Sequence, residues 1–220
     1  HIIHLIQDTS QPAHVRNDPH GLEALGVVEG FESWAADNRS QVLSLMSHPT
    51  FPTVSLNTSV GGYVPMTQFI DTNQYNGDNP SATYSQGLAE YTAANFASED
   101  TIFSFDLRHP IRSDTEYYEE YERDWGSFQV YRKYFRKNTG GEIIEHFAYA
   151  GRLYRYLSGW PELQNFTLAL DDKVYGDYAH FLFPRAVGYS AGLLNYFFRG
   201  QMEANGQPTK DSSGKITGVT

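Results

Sequence analysis

The sequence predicts an all-α domain, a multi-helix body interrupted by one long irregular loop, and two observations predict it. Apolar residues recur at helical spacing in five separate stretches, and proline or glycine bounds several of them. At 220 residues the chain can bury a sizeable core. We expect residues 1–200 to form the helical domain and residues 201–220 to be a linker or the start of a following β domain.

Each element has its own local reason. Ile2, Ile3, Leu5 and Ile6 make an apolar stripe around His4 and Asp8, and the helix must end before Gln11-Pro12 because a residue preceding proline is driven out of the α region. Residues 17–21 (NDPHG) are a turn by composition. A second helix covers about 28–46, with Phe31, Trp34, Val42 and Leu45 inward. From Pro49 to Pro80 the chain is rich in Pro, Gly, Asn, Ser and Thr, with a short helical piece near residues 65–71; irregular passages of this length are often walls or lids of a site. Ser81 opens a helix over 81–100 whose face is Leu88, Tyr91, Ala94 and Phe96. Residues 113–135 mix Tyr with Glu and are expected to be helical first and strand-like after Gly126. A helix over 140–160 follows a glycine pair, buried through Ile143, Phe147, Leu153 and Leu157. The last helix runs from about 174 to 199 and stops at Gly200. Residues 214–220 (GKITGVT) read as the first strand of something further. Because the chain opens inside a helix, we expect a processed piece of a longer polypeptide, with domains upstream and downstream.

Composition narrows the function. Aromatic residues make up 15% of the chain, with 16 Tyr and 14 Phe, so rings must do much of the packing. Net charge is −10 and no basic run occurs, which removes the positive footprint needed to track along a nucleic-acid backbone. An anionic substrate would have to be received locally, by metal ions or a few arginines. There is no cysteine, so any metal must use His, carboxylate and water. Residues 181–198 are the one apolar run of membrane length, but Pro184 and Arg185 lie inside it, and we read it as a buried helix rather than a transmembrane segment. Arg185 should then pair with a carboxylate such as Glu90 or Asp100.

The opening stretch carries the chemistry. His4 and Asp8 stand one helical turn apart and can both reach a single cation about 2.0–2.2 Å away. His14 follows just past the helix end, where it can bind a neighbouring ion while Asp8 bridges two. His20 lies in the turn, and Glu29 and Glu32 on the returning helix can bring a carboxylate back; His1, one turn before His4, can join them or be only a ragged end.

His4-x3-Asp8-x5-His14, with Gln11-Pro12 between, resembles the zinc-dependent phospholipase C and fungal single-strand nuclease superfamily, and the run from His180 to Gly200 is similar to the last helix of its bacterial members. The resemblance implies a phospholipase C/nuclease-like all-helical fold with zinc, one to three ions, in a cleft. It implies that His4 holds one zinc, that Asp8 bridges it to another, and that His14 belongs to a third. The family's next histidine falls at Val28 or Leu25 here, so His20, paired with Glu32, is expected to substitute. The family's first-zinc ligands precede residue 1, which fits the expectation of a fragment. The implied activity is hydrolysis of phosphoesters in a secreted bacterial protein, periplasmic or extracellular. Phospholipid is favoured over single-stranded nucleic acid because the chain is aromatic-rich and acidic.

Other features read as structural. His146 and His180 each lie on strongly aromatic predicted helices and are expected to be satisfied core or rim histidines; His48 and His109 precede proline in loops and receive no role. Residues 117–123 are an exposed amphipathic face unless they serve as an interaction surface. The rival to an enzyme is a non-catalytic binding module that keeps the helical scaffold and a partial metal site. A carboxylate-bridged di-iron bundle is disfavoured, because no Glu-x-x-His pair occurs.

Overall fold

The computed structural model describes residues 1–16, 30–51, 67–70, 87–98, 115–139, 141–151, 168–198 and 208–219. Its elements run α1 (Ile2–Asp8), α2 (Pro12–Arg16), α3 (Phe31–Asp37), α4 (Arg39–Met46), α5 (Thr67–Ile70), α6 (Leu88–Asn95), β1 (Thr115–Trp125), β2 (Phe128–Asn138), β3 (Ile143–Ala150), β4 (Leu168–Ala169), α7 (Asp172–Phe198), β5 (Pro208–Lys210) and β6 (Ile216–Val219). The turn at 17–21, most of the irregular passage 49–80, Ser81, Asp100, His109, Leu153, Leu157 and Gly200 lie outside the described residues.

The all-α expectation, as a fold class and as a description of the domain, is overturned by a four-stranded antiparallel sheet in the order β1-β2-β3-β4 and by a second, two-stranded pair β5-β6. Two predicted helices are strands. Residues 115–125 (TEYYEEYERDW), expected to begin as a helix, form β1 and pair with β2 through a two-residue turn in which Gly126 takes φ +63°, the left-handed conformation such turns require. Residues 143–150 (IIEHFAYA) satisfy a helical i, i+4 spacing through Ile143 and Phe147, yet they form β3. The reason is non-local: β2 offers a hydrogen-bonding edge, and the Glu142 carbonyl accepts from the Thr139 amide (2.9 Å), closing the β2–β3 turn. β-branched and aromatic residues then prefer the pleated, half-buried surface.

The helical readings at the two ends fare better. α1 stops at Asp8, before Gln11-Pro12. α7 spans 27 residues, beginning two residues earlier than expected. The Asp171 side chain explains that start, because its Oδ1 accepts from the Val174 amide at 3.1 Å, an N-terminal cap. The single helix expected over 28–46 is two, divided at Asn38, whose side-chain amide turns back to the Trp34 carbonyl (2.9 Å).

α7 is the spine of the fold. It packs against β3 and against α1, α3, α4 and α6. Val174, Tyr175, Tyr178, Leu182, Tyr189 and Leu193 recur at helical spacing and are buried. Aromatic rings fill the junction: Phe31 stacks on Phe183 at 5.4 Å, and Phe96 meets Tyr178 edge-on at 4.9 Å. The Tyr178 hydroxyl donates to the Phe147 carbonyl (2.7 Å) and accepts from the Ala97 amide (3.0 Å), tying α7 to the sheet and to the segment after α6. Arg185 is buried as expected, but its partner is Glu142, at 2.5 Å, with the guanidinium 4.2 Å above the Tyr91 ring. Glu90 is instead engaged at its own helix start, accepting from the Gly87 amide (2.9 Å). Among the described residues no helix is long and apolar enough to cross a membrane.

Candidate metal centre

α1 sets the geometry of the opening constellation. Its buried residue is Ile6, which leaves His4 and Asp8 together on the outer side. The chain then reverses tightly. The Thr9 hydroxyl donates to the Ile6 carbonyl and the Ser10 hydroxyl to the Gln7 carbonyl, both at 2.7 Å, and the Gln11 amide donates to the Asp8 carbonyl at 3.0 Å. These bonds satisfy carbonyls that the end of α1 leaves over. Pro12, free of any amide donor, begins α2. Arg16 fastens α2 to the body by donating to the Ala93 carbonyl of α6 at 2.5 Å.

The result brings four of the five sequence-predicted ligands together. His4 Nε2 lies 3.7 Å from Asp8 Oδ2, His14 Nδ1 lies 3.7 Å from Asp8 Oδ1, and His14 Nε2 lies 3.4 Å from Glu32 Oε1 on the first turn of α3. His20, the fifth, and Glu29 lie outside the described residues. His1 is exposed, and its carbonyl accepts from the Leu5 amide (3.1 Å).

These separations bear on zinc directly. Two donors each about 2.1 Å from a tetrahedral zinc are roughly 3.4 Å apart, and the His4–Asp8 and His14–Glu32 pairs sit near that spacing. Asp8 turns one oxygen to each imidazole, as a bridging carboxylate does. Among the described residues, however, no three His, Asp or Glu side chains close around one point. The four side chains thus form neighbouring His–carboxylate pairs rather than a closed metal shell, and a zinc ion there would need further donors or water.

A cavity of about 420 Å³ adjoins this cluster, lined by Asp8 and His14 and otherwise mainly by aliphatic groups, among them Leu5, Val15, Ile70 and Ala93. Glu90 also lines it, and no Phe, Tyr, Trp, Lys or Arg appears among its described lining residues.

A second polar cluster escaped sequence reading. β3 bulges where its pairing with β2 skips from Ala148 to Ile144. The bulge frees the His146 amide, which donates to Asp177 Oδ2 of α7 at 2.7 Å. The ring is held on both sides, with Nδ1 3.1 Å from Asp177 Oδ2 and Nε2 2.8 Å from Glu120 Oε2 of β1. Lys173 also bonds Glu120. Burial pushes the Glu120 carboxyl up, but the hydrogen bonds from Lys173 and His146 outweigh it and hold the group below the usual carboxylate range. Nearby, Asp171 Oδ2 accepts from Arg132 (2.7 Å) and from the Tyr134 hydroxyl (2.9 Å), and burial, with the Asp171 charge, raises the Tyr134 phenol. His146 is thus a clamped strand residue rather than one on an aromatic helix, whereas His180 is exposed with its ring edge-on to Phe181. The only sequence signal for this cluster was the crowding of Tyr with charged residues in 116–136. Compared with models of protein families, with curated proteins and with solved structures, the chain matches none.

Proposed function

We propose that this protein is a zinc-dependent hydrolase of phosphoesters, with His4, Asp8, His14 and Glu32 among the metal ligands. The observation that supports the proposal is the approach of two imidazoles and two carboxylates from three helices, with His–carboxylate separations of 3.4 and 3.7 Å. Zinc, when bound, acts as a Lewis acid on phosphoryl oxygens and makes water a nucleophile at neutral pH. The chain's own residues have separate tasks. Asp8 and Glu32 supply negative charge that offsets the ions, and Asp8 fixes the two imidazoles relative to each other. The aliphatic cavity beside Asp8 and His14 receives the apolar part of the substrate and keeps water from that side. The aliphatic groups Leu5, Val15, Ile70 and Ala93 in its described lining suit an acyl chain, so a phospholipid is the favoured substrate.

The second reading, a non-catalytic module with a partial metal site, is favoured by the donors forming pairs rather than a closed set among the described residues. One sequence of measurements separates the two. Purified chain and a His4→Ala/Asp8→Ala double variant are dialysed against metal-free buffer, analysed for zinc, and assayed on phosphodiester substrates. Retained zinc that is lost in the variant, with variant-sensitive hydrolysis, is the expected result. Zinc without hydrolysis points to the module, and a native chain that retains no zinc overturns the metal proposal.

A further inference from the structure

The outer half of the β1–β2 hairpin ends in exposed aromatic side chains. Trp125 and Phe128 are paired across the ladder at the turn, so they share one face, and they are 74% and 77% exposed. On the opposite face Tyr121 and Tyr131 meet edge-on at 6.0 Å, both about half exposed, and Tyr117 follows with the Lys133 ammonium 5.3 Å from its ring. The first buried side chain of β2 is Tyr134, six residues from Phe128. At about 3.3 Å per residue the ribbon therefore extends roughly 20 Å beyond it. At the apex, a side chain on Gly126 would meet nothing within 4 Å.

Charge says what such a tip suits. The chain carries −10, yet residues 115–138 carry five Asp and Glu against five Lys and Arg, so the hairpin is neutral on an acidic protein. The hairpin is neutral overall and its tip, residues 121–131, carries one net negative charge (Glu122 and Asp124 against Arg123); Trp and Phe foremost with Tyr behind match the bilayer interface, where such rings keep an apolar body in the acyl boundary and a polar edge in water. The stems of Arg123 and Lys133 are long enough to leave their charges at headgroup level. Partners that bind by adding a strand are opposed by β1 itself, an edge strand bearing four glutamates.

We propose that the β1–β2 tip is a peripheral membrane anchor that inserts Trp125 and Phe128 into a zwitterionic lipid surface. This rests on the hairpin alone and not on the metal site. The test is flotation of the full chain with phosphatidylcholine vesicles in the presence of chelator, together with a Trp125→Ser/Phe128→Ser double variant whose folding is checked by circular dichroism. Both substituted side chains are exposed, so the variant is expected to fold. The native chain should float, its tryptophan emission should shift to the blue, and the double variant should partition roughly tenfold or more weakly. The His4→Ala/Asp8→Ala variant should float as the native chain does. Failure of the native chain to float, or equal flotation of the tip variant, overturns the proposal. So does a native chain that self-associates through the tip, seen as a tip-dependent change of mass in sedimentation, without binding vesicles.

Discussion

Gly188 shows how much one missing methyl decides. A Cβ there would come within 2.5 Å of the Thr50 carbonyl carbon and closer still to its oxygen. The segment after α4 lies directly on α7 at this point, and the Thr50 amide donates to the Pro184 carbonyl at 2.9 Å. The obstacle is backbone rather than a flexible side-chain end, so Gly188→Ala must move the segment or the helix. We expect the variant to lose about 2–3 kcal/mol, measured as a lower midpoint in urea with unchanged slope. At the same scale His4, Asp8 and His14 were legible, because an i, i+4 pair followed by a tight reversal is local geometry. Glu32 was legible as a candidate only through its position on the returning helix.

Among the elements, the junction of β1, β3 and α7 depends on one carboxylate. Glu120 bonds Lys173 and His146 at once, and its folded pKa lies below that of the unfolded chain. A depressed carboxylate contributes stability above its unfolded pKa, about 4.3 for an ordinary Glu, and the contribution is lost as pH falls through the folded value. Glu120→Gln should therefore destabilise the protein at pH 7, and the difference from the native chain should be smaller at about pH 3. Denaturant unfolding at the two pH values checks both halves of this expectation; an equal deficit at both would mean that packing, not charge, is what the variant removes. The sheet itself was not legible. Residues 143–150 fit a helical spacing and a strand equally, and register with β2 is what chose between them. The His146 cluster was hidden for the same reason, since its members lie 26 and 31 residues apart and meet only through that register.

For the molecule as a whole, the tyrosines bind the parts together and set its alkaline limit. Burial, with nearby acidic charges, raises the Tyr118 phenol to about 12; burial, opposed by the Arg185 charge, raises the Tyr189 phenol to about 12. Tyr91 is raised as well, by burial first. A raised phenol favours the folded state fully below its unfolded pKa near 10 and loses that contribution as pH climbs through the folded value. Stability should thus be level up to about pH 9 and fall between about pH 10 and 12. Tyrosinate absorbance should fall short of that of the denatured chain until unfolding releases the rest; absorbance that reaches the full denatured-chain amplitude at about pH 10 without unfolding would show that these phenols are open to water.

What the sequence determined by itself was local: the stripe and stop of α1, the His4-Asp8-His14 spacing, the amphipathic length of α7, the burial of Arg185 and the absence of cysteine chemistry. Each of these is written in residues a few positions apart, where backbone sterics and helical period act directly. The tertiary structure alone decided that Tyr-rich residues 115–150 are a sheet, that Arg185 pairs with Glu142, and that Glu120, His146 and Asp177 share one network. Strand pairing and buried ion pairs are chosen by the competition among all surfaces for a partner. That competition is settled only when the chain has closed on itself.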